Sequence, residues 1–162
     1  RVIAALNGSV FGAGLQIAMG ADLRYAAADV RLSIMEIRWG IIPDMGITAT
    51  MPGFLAEDRV RELAYTGRIV DAGEAARIGL VTDVVDDPLA SATAVAHEIA
   101  ARNPDAVRAT KQMISAAWRG DAASLLGLEA SLQLEVMAGD NQKEAAAANI
   151  EQRPPVFRDT KS

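Results

Sequence analysis

Short apolar runs alternate with glycine-rich turns in the first half of the chain. Residues 2–6 form an apolar run of strand length that ends at an Asn7-Gly8 turn. A glycine-rich segment follows, and the apolar residues at 14–21 after it predict a short helix. Further strands are predicted at 22–25, 30–34 and 80–85, helices at 56–65 and 71–78, and a loop-rich connection at 35–46. This order of strand, turn, helix and strand predicts an α/β fold.

The pattern changes to helices alone after Asp86-Asp87-Pro88. Apolar residues recur three or four positions apart in segments 88–102, 104–118 and 120–137, and an alanine-rich segment begins at Asp140. Isolated helices of this length are marginally stable in water, so their apolar faces require a packing partner. We therefore predict an α/β core at residues 1–85 and a helical region at 86–162 that mediates oligomerisation.

Composition narrows the class of protein. The 162 residues are 51% hydrophobic and 23% charged, a balance typical of a globular protein. The net charge of −5 argues against a nucleic-acid partner, which requires a basic surface. The sequence has no cysteine and no His, Asp or Glu cluster with metal-ligand spacing, which predicts no metal site. The first apolar run is too short for a signal or a membrane span, so we expect a cytoplasmic protein with no membrane partner.

The glycines at Gly8, Gly12 and Gly14 allow several interpretations. A dinucleotide site of the short-chain dehydrogenase type needs a Tyr four residues before a Lys, and neither Tyr25 nor Tyr65 has that lysine. A phosphate loop is excluded because no Lys-Ser or Lys-Thr follows the glycines. The remaining interpretations are a turn that permits close helix–strand packing and a helix start whose uncovered N–H groups hold a negatively charged oxygen.

Two carboxylates follow this glycine segment. Glu36 lies twenty residues after Gln16, and Asp44 lies eight residues further on, after the Ile42-Pro43 turn signal. A carboxylate brought to the uncovered N–H groups would create a site with both an oxyanion hole and a base.

Four segments in order resemble the crotonase (enoyl-CoA hydratase/isomerase) superfamily. The family's strand, oxyanion-hole turn and helix are similar to VIAALNGSVFGAGLQIAMGADLRYA, and its second active-site segment is similar to LSIMEIRWGIIPDMGIT. The passage that follows resembles LAYTGRIVDAGEAARIGLVTDVV, and the C-terminal ending resembles RPPVF. The resemblance implies a partial crotonase-like ββα spiral core with an all-helical C-terminal oligomerisation region. It also implies an acyl-CoA thioester substrate, with coenzyme A as part of the substrate and no separate cofactor.

The resemblance also implies roles for individual residues. The Ala13 N–H would form half of an oxyanion hole, and Glu36 would be the catalytic acid and base. Gly12, Gln16 and Trp39 would contribute to substrate binding. Two simpler interpretations stay open, namely that Glu36 is a solvated loop residue and that Trp39 fills the core.

Gln16 departs from the hydratases of this family, which have a second Glu at that position. Because Gln cannot accept or release a proton, we expect double-bond isomerisation to be favoured over hydration. Asp44 is a second catalytic candidate, since dienoyl-CoA isomerases of the family have an Asp eight residues after their Glu. Its alternative interpretation is a turn residue that follows Pro43.

Family members also have an N-terminal portion that supplies more strands, part of the CoA site and the second oxyanion N–H. The sequence therefore leaves two hypotheses. One is an enzyme that assembles as a homo-oligomer, a trimer or hexamer by family resemblance, with a possible separately encoded N-terminal half. The alternative is a catalytically inactive truncated or assembly subunit of the same fold.

Overall fold

The computed structural model describes residues 1–51, 53–117 and 121–159, and these divide into two compact units, Arg1–Val95 and the residues from Ala96 onward. The first unit contains β1 Ile3–Leu6, β2 Ser9–Phe11, α1 Ala13–Ala18, β3 Leu23–Ala26, β4 Arg31–Ser33, a 3₁₀ helix at Glu36–Trp39, α2 Ile47–Thr50, α3 Glu57–Thr66, β5 Val70–Asp71, α4 Ala72–Ile78 and β6 Asp83–Val84. Helix α5, Pro88–Ala100, contains the boundary between the units. The second unit continues with α6 Pro104–Ala117, α7 Ala122–Ala138 and α8 Asp140–Ile150.

The strands of the first unit form two small sheets. One has the order β1-β3-β6 and is parallel throughout, with Ile3 opposite Leu23 and Tyr25 opposite Asp83. The other has the order β2-β4-β5, in which β2 and β4 run parallel and β4 and β5 run antiparallel. Because β2 and β4 are parallel neighbours, the segments that leave their carboxyl ends emerge at the same edge of the sheet.

The core of the first unit is built from aliphatic side chains that fill the space around these sheets. Leu15 of α1, Leu32 of β4 and Val70 of β5 are fully buried, as are Leu63 of α3 and Leu80. Burial of each such side chain stabilises the fold by roughly 1.5–3 kcal/mol. The burial of Leu15 therefore holds helix α1 against the core and fixes the position of its first turn.

The observed elements confirm the predicted α/β architecture and correct several bounds. Helix α1 ends at Ala18 rather than at residue 21, because the N–H groups of Gly20 and Ala21 turn back onto the carbonyls of Ile17 and Ala18. Strands β2 and β5 were not predicted. The 3₁₀ helix lies inside the segment that was predicted as a loop-rich connection.

Polar side chains fix the ends of the helices in the second unit. Asp121 accepts hydrogen bonds from the N–H groups of Ala123 and Ser124, which caps the start of α7. The buried Asn141 of α8 donates to Asp105 of α6 and accepts from the Arg158 N–H, so it joins α6, α8 and the segment after α8. Within the described part of the chain, no helix is both long and apolar enough to cross a membrane.

Candidate active site

The candidate site lies where the chain leaves β2 and β4. Gly12 follows β2 directly, and its N–H donates to the Ser33 carbonyl at the end of β4 at 2.9 Å. Glu36 begins the 3₁₀ helix that follows β4. The parallel pairing of the two strands therefore brings the glycine turn and the carboxylate together, at the kind of strand end where ligands bind in α/β sheets.

Gly12 is suited to this place by its missing side chain. Its φ of 52° and ψ of −121° lie outside the regions that residues with a side chain adopt. A Cβ atom at this position would lie 3.3 Å from Oε1 of Glu36. The missing side chain of Gly12 thus permits the close approach of the Glu36 carboxylate to the turn. Ala13 is the first residue of α1, and the first N–H groups of a helix have no acceptor within the helix.

Glu36 is buried, with 8% of its surface exposed, so its interpretation as a solvated loop residue is wrong. Oε1 of Glu36 accepts a hydrogen bond of 2.5 Å from Nε2 of Gln16. Oε2 is also buried, and it has no hydrogen-bond partner among the described residues. A buried oxygen without a partner is unfavourable by about 1–3 kcal/mol, and such groups are found where a site will use them.

Gln16 links Glu36 to a third segment of the chain. It lies one helical turn after Gly12 in α1 and is 2% exposed. Its Oε1 accepts a hydrogen bond of 2.8 Å from the main-chain N–H of Met45. This contact could not be predicted from the sequence, because a main-chain N–H is present at nearly every residue.

The 3₁₀ helix that carries Glu36 is supported by the end of α3. Gly67 caps α3 with a φ of 57°, and a Cβ atom there would lie 2.9 Å from Cγ2 of Ile37. The Ser33 hydroxyl donates to the Gly67 carbonyl at 3.0 Å. Only a residue without a side chain allows this approach, so α3 holds the backbone next to Glu36 firmly.

A cavity of about 320 Å³ lies between the glycine turn, the 3₁₀ helix and the 41–45 segment. The predicted site residues Gly12, Ala13, Gln16, Glu36, Trp39 and Asp44 all line it, together with Phe11, Met35, Ile41 and Met45, which sequence reasoning missed. The missed residues are apolar neighbours of the predicted ones. Their only sequence signal was their position beside the turn and the carboxylates.

The two outer residues of the predicted site lie in exposed positions. Trp39 is 78% exposed, so its interpretation as a core residue is wrong. Asp44 is also exposed at the cavity. The arrangement as a whole is an apolar cavity with one buried carboxylate, a second carboxylate at its surface and a helix start. Such a site can hold an acyl group and move a proton to or from it.

The enoyl-CoA hydratase/isomerase family model matches residues 1–160. The chain belongs to this family. It is 34% identical to the short-chain-enoyl-CoA hydratase of Clostridium acetobutylicum, over 94% of this chain and 59% of that protein. It is 33% identical to the crotonyl-CoA hydratase of Syntrophomonas wolfei, over 96% of this chain and 61% of that protein. The family predicted from the four segments is thus confirmed.

Solved structures agree with the fold. The crystal structure of an enoyl-CoA hydratase from Mycobacterium tuberculosis H37Rv superimposes with a TM-score of 0.91 at 31% identity, over 98% of this chain and 64% of that one. An enoyl-CoA hydratase from Bacillus anthracis gives a TM-score of 0.90 at 34% identity, over 96% and 61%. The predicted crotonase-like architecture is confirmed, and the chain spans about three fifths of the length of the curated relatives it matches.

Proposed function

We propose that the protein transfers protons on enoyl-CoA thioesters and moves their carbon–carbon double bond in preference to adding water. The observation that carries the proposal is the buried Glu36 carboxylate, whose Oε2 has no partner among the described residues, in a cavity that Ala13 also lines. The names of the relatives, enoyl-CoA and crotonyl-CoA hydratases, support the class of substrate.

The proposed reaction begins with the thioester oxygen at the Ala13 N–H. Glu36 takes a proton from the carbon adjacent to the thioester carbonyl, and the electron pair of the broken C–H bond moves onto the carbonyl oxygen. The fixed N–H dipole stabilises this enolate without reorganisation, and loss of one such donor typically lowers a rate by roughly 10²–10³. Return of a proton to a different carbon shifts the double bond, so the reaction consumes no water and no oxidant.

The preference for isomerisation is supported by Gln16. An amide cannot accept a proton from water, whereas two carboxylates that face each other can share that task. At the position where hydratases of the family have a second Glu, this chain has an amide that already donates to Glu36. Water addition would therefore lack its second base.

Asp44 is proposed as the second proton carrier. It lines the same cavity as Glu36 but is exposed, whereas Glu36 is buried. An exposed carboxylate exchanges protons with solvent freely, so Asp44 would deliver or remove the proton at the more distant carbon. We assign it the smaller share of the rate, because solvent can replace it in part.

We also propose that the protein forms a homo-oligomer through its helical unit. Large apolar side chains are exposed on the helices of that unit, namely Ile114, Leu126, Leu134, Met137 and Ile150. Exposed apolar surface of this extent is typical of protein interfaces. A trimer or hexamer is the assembly implied by the family resemblance.

The proposed function is tested by Glu36→Gln, which keeps the size of the side chain and removes the proton carrier. We expect kcat for the conversion of a 3-enoyl-CoA to the conjugated 2-enoyl-CoA to fall by roughly 10²–10⁴, the usual contribution of a general acid–base. Ultraviolet absorbance of the conjugated thioester measures the reaction. Glu98→Gln, at an exposed position of α5, is the matched control and should leave kcat unchanged.

Three results would count against the proposal. Unchanged turnover in Glu36→Gln would remove the catalytic role of this carboxylate. Rapid hydration of a 2-enoyl-CoA by the unaltered protein would contradict the preference for isomerisation. Binding of the thioester without any turnover would favour the alternative of a non-catalytic subunit.

A further inference from the structure

Gln16 has its side-chain amide engaged at both ends. Its Oε1 accepts from the Met45 N–H at 2.8 Å, and its Nε2 donates to Oε1 of Glu36 at 2.5 Å. A main-chain N–H can only donate, so the oxygen end of the amide must face Met45 and the nitrogen end must face Glu36. The two partners therefore set the orientation of the amide. Its oxygen already accepts a hydrogen bond from Met45 before any substrate binds.

We propose that Gln16 is a positioning residue that fastens the Glu36 carboxylate to the main chain of the 41–46 segment and leaves Oε2 as the oxygen that exchanges the proton. The catalytic consequence rests on the proposed function, whereas the linkage itself does not. The family resemblance implies a role for Gln16 in substrate binding, and that role stays a prediction. The hydrogen bonds instead indicate that Gln16 holds the Glu36 carboxylate in position.

The chemistry of this position discriminates between side chains. A Leu at position 16 would fill similar space but leave the Met45 N–H and Oε1 of Glu36 without their partners. Because Gln16 is 2% exposed and its bond to Glu36 is buried, solvent does not readily replace that hydrogen bond. A Glu would still accept from Met45, but it would place a second carboxylate against Glu36, and the two would compete for one proton.

The linkage also determines the place of the second carboxylate. Asp44 immediately precedes Met45, so fixing the Met45 N–H fixes the backbone from which the Asp44 side chain extends. Gly12 lies against the same oxygen, since a Cβ atom there would be 3.3 Å from Oε1 of Glu36. Glu36 thus has one oxygen held by an amide, which restricts rotation of the carboxylate, and one oxygen that has no partner in the described part of the chain.

The test compares Gln16→Leu and Gln16→Glu with Met19→Leu, a packing control at a buried position just after α1. Amide hydrogen exchange, followed by NMR, reports the Met45 N–H directly. We expect exchange at Met45 to become at least tenfold faster in Gln16→Leu and to stay within threefold of the original in Gln16→Glu and Met19→Leu. For the 3-enoyl-CoA reaction, Gln16→Leu should lower kcat by 10- to 100-fold and change KM by less than threefold.

The two readouts separate this inference from the proposed function. Unchanged Met45 exchange in Gln16→Leu would overturn the linkage, whatever the activity. A rise in KM with an unchanged kcat would overturn the positioning role and show that Gln16 binds substrate. If the unaltered protein turned over no enoyl-CoA, the proposed function would fail, and Met45 exchange would still decide whether the linkage exists.

Discussion

The two compact units differ in how far their large apolar side chains are buried. In the α/β unit, large apolar residues from separate elements are fully buried, for example Leu15, Leu32 and Leu80. In the helical unit, Leu132 and Ala148 are the apolar side chains buried among the described residues, while Leu134 is 70% exposed. The α/β unit therefore contains the core that determines its own fold. The helical unit carries exposed apolar side chains of the kind found at protein interfaces.

The α/β unit leaves apolar surface open as well, but concentrates much of it beside the candidate site. Ile37, Trp39, Ile41, Ile42 and Met45 are all at least 45% exposed, and they lie within nine residues of one another. Three of these five line the cavity. Exposed apolar residues thus line a proposed ligand site in one unit and a proposed protein interface in the other.

The difference in burial should appear most strongly in stability. Leu15→Ala removes a fully buried side chain and should lower the free energy of unfolding by about 3–5 kcal/mol. Leu134→Ala removes a side chain that is 70% exposed in the single chain and, at protein concentrations too low for self-association, should change the free energy of unfolding by less than about 0.5 kcal/mol. Urea denaturation followed by circular dichroism measures both variants. Equal losses at such concentrations would contradict the difference in burial between the two units.

The second prediction concerns the exposed apolar surface of α7. Leu126→Lys combined with Leu134→Lys should weaken self-association at least tenfold, because two charges would have to be desolvated in the proposed interface. Sedimentation equilibrium over a range of protein concentrations measures the effect. Gln133→Lys adds a charge at an exposed polar position of the same helix and is the matched control.

An unchanged mass distribution in the double variant would exclude this part of α7 from any interface. A monomeric unaltered protein at every concentration would remove the homo-oligomer proposal altogether.

The site was more predictable from the sequence than the small strands were. Gly12, Ala13 and Glu36 lie in segments that resemble the crotonase superfamily in both their order and their separation. The sequence alone therefore predicted that these residues belong to one site. Strand β2 has three residues and β5 has two, which is too short for a period of two to be recognised. The core position considered for Trp39 was wrong because the hydrophobicity of a residue does not distinguish a buried core position from an exposed position beside a cavity.

The link from Met45 through Gln16 to Glu36 could not be predicted for a different reason. It joins residues that lie twenty or more positions apart, and one of its partners is a main-chain N–H. The identity of Gln16 shows only that its amide can donate and accept hydrogen bonds at once. The identity of its two partners depends on the tertiary structure.

The smallest predicted effect is electrostatic and belongs to the helical unit. Glu144 accepts from both terminal nitrogens of Arg153, at 2.6 and 2.9 Å, and from the Val156 N–H at 2.8 Å, so the segment after α8 is held against that helix. The Arg153 guanidinium, and then the Val156 N–H, lower the pKa of Glu144 from 4.5 to about 2. Since the folded pKa lies below the unfolded one, this contribution is present above pH 4.5 and is lost as the pH falls towards about 2.

We expect the Glu144 carboxyl carbon to titrate near pH 2 in NMR and at a higher pH, closer to 4.5, in Arg153→Gln. The Val156 amide should lose its exchange protection over the same range of pH. Because Arg153 and Glu144 are both partly exposed, solvent screens the pair, and the thermal midpoint of the whole protein should hardly change. Lys143→Gln removes an exposed charge from the same helix and should leave the Glu144 titration in place. If Glu144 titrated near 4.5 in the unaltered protein, the segment after α8 would not be held by this pair, and its position would depend on Asn141 instead.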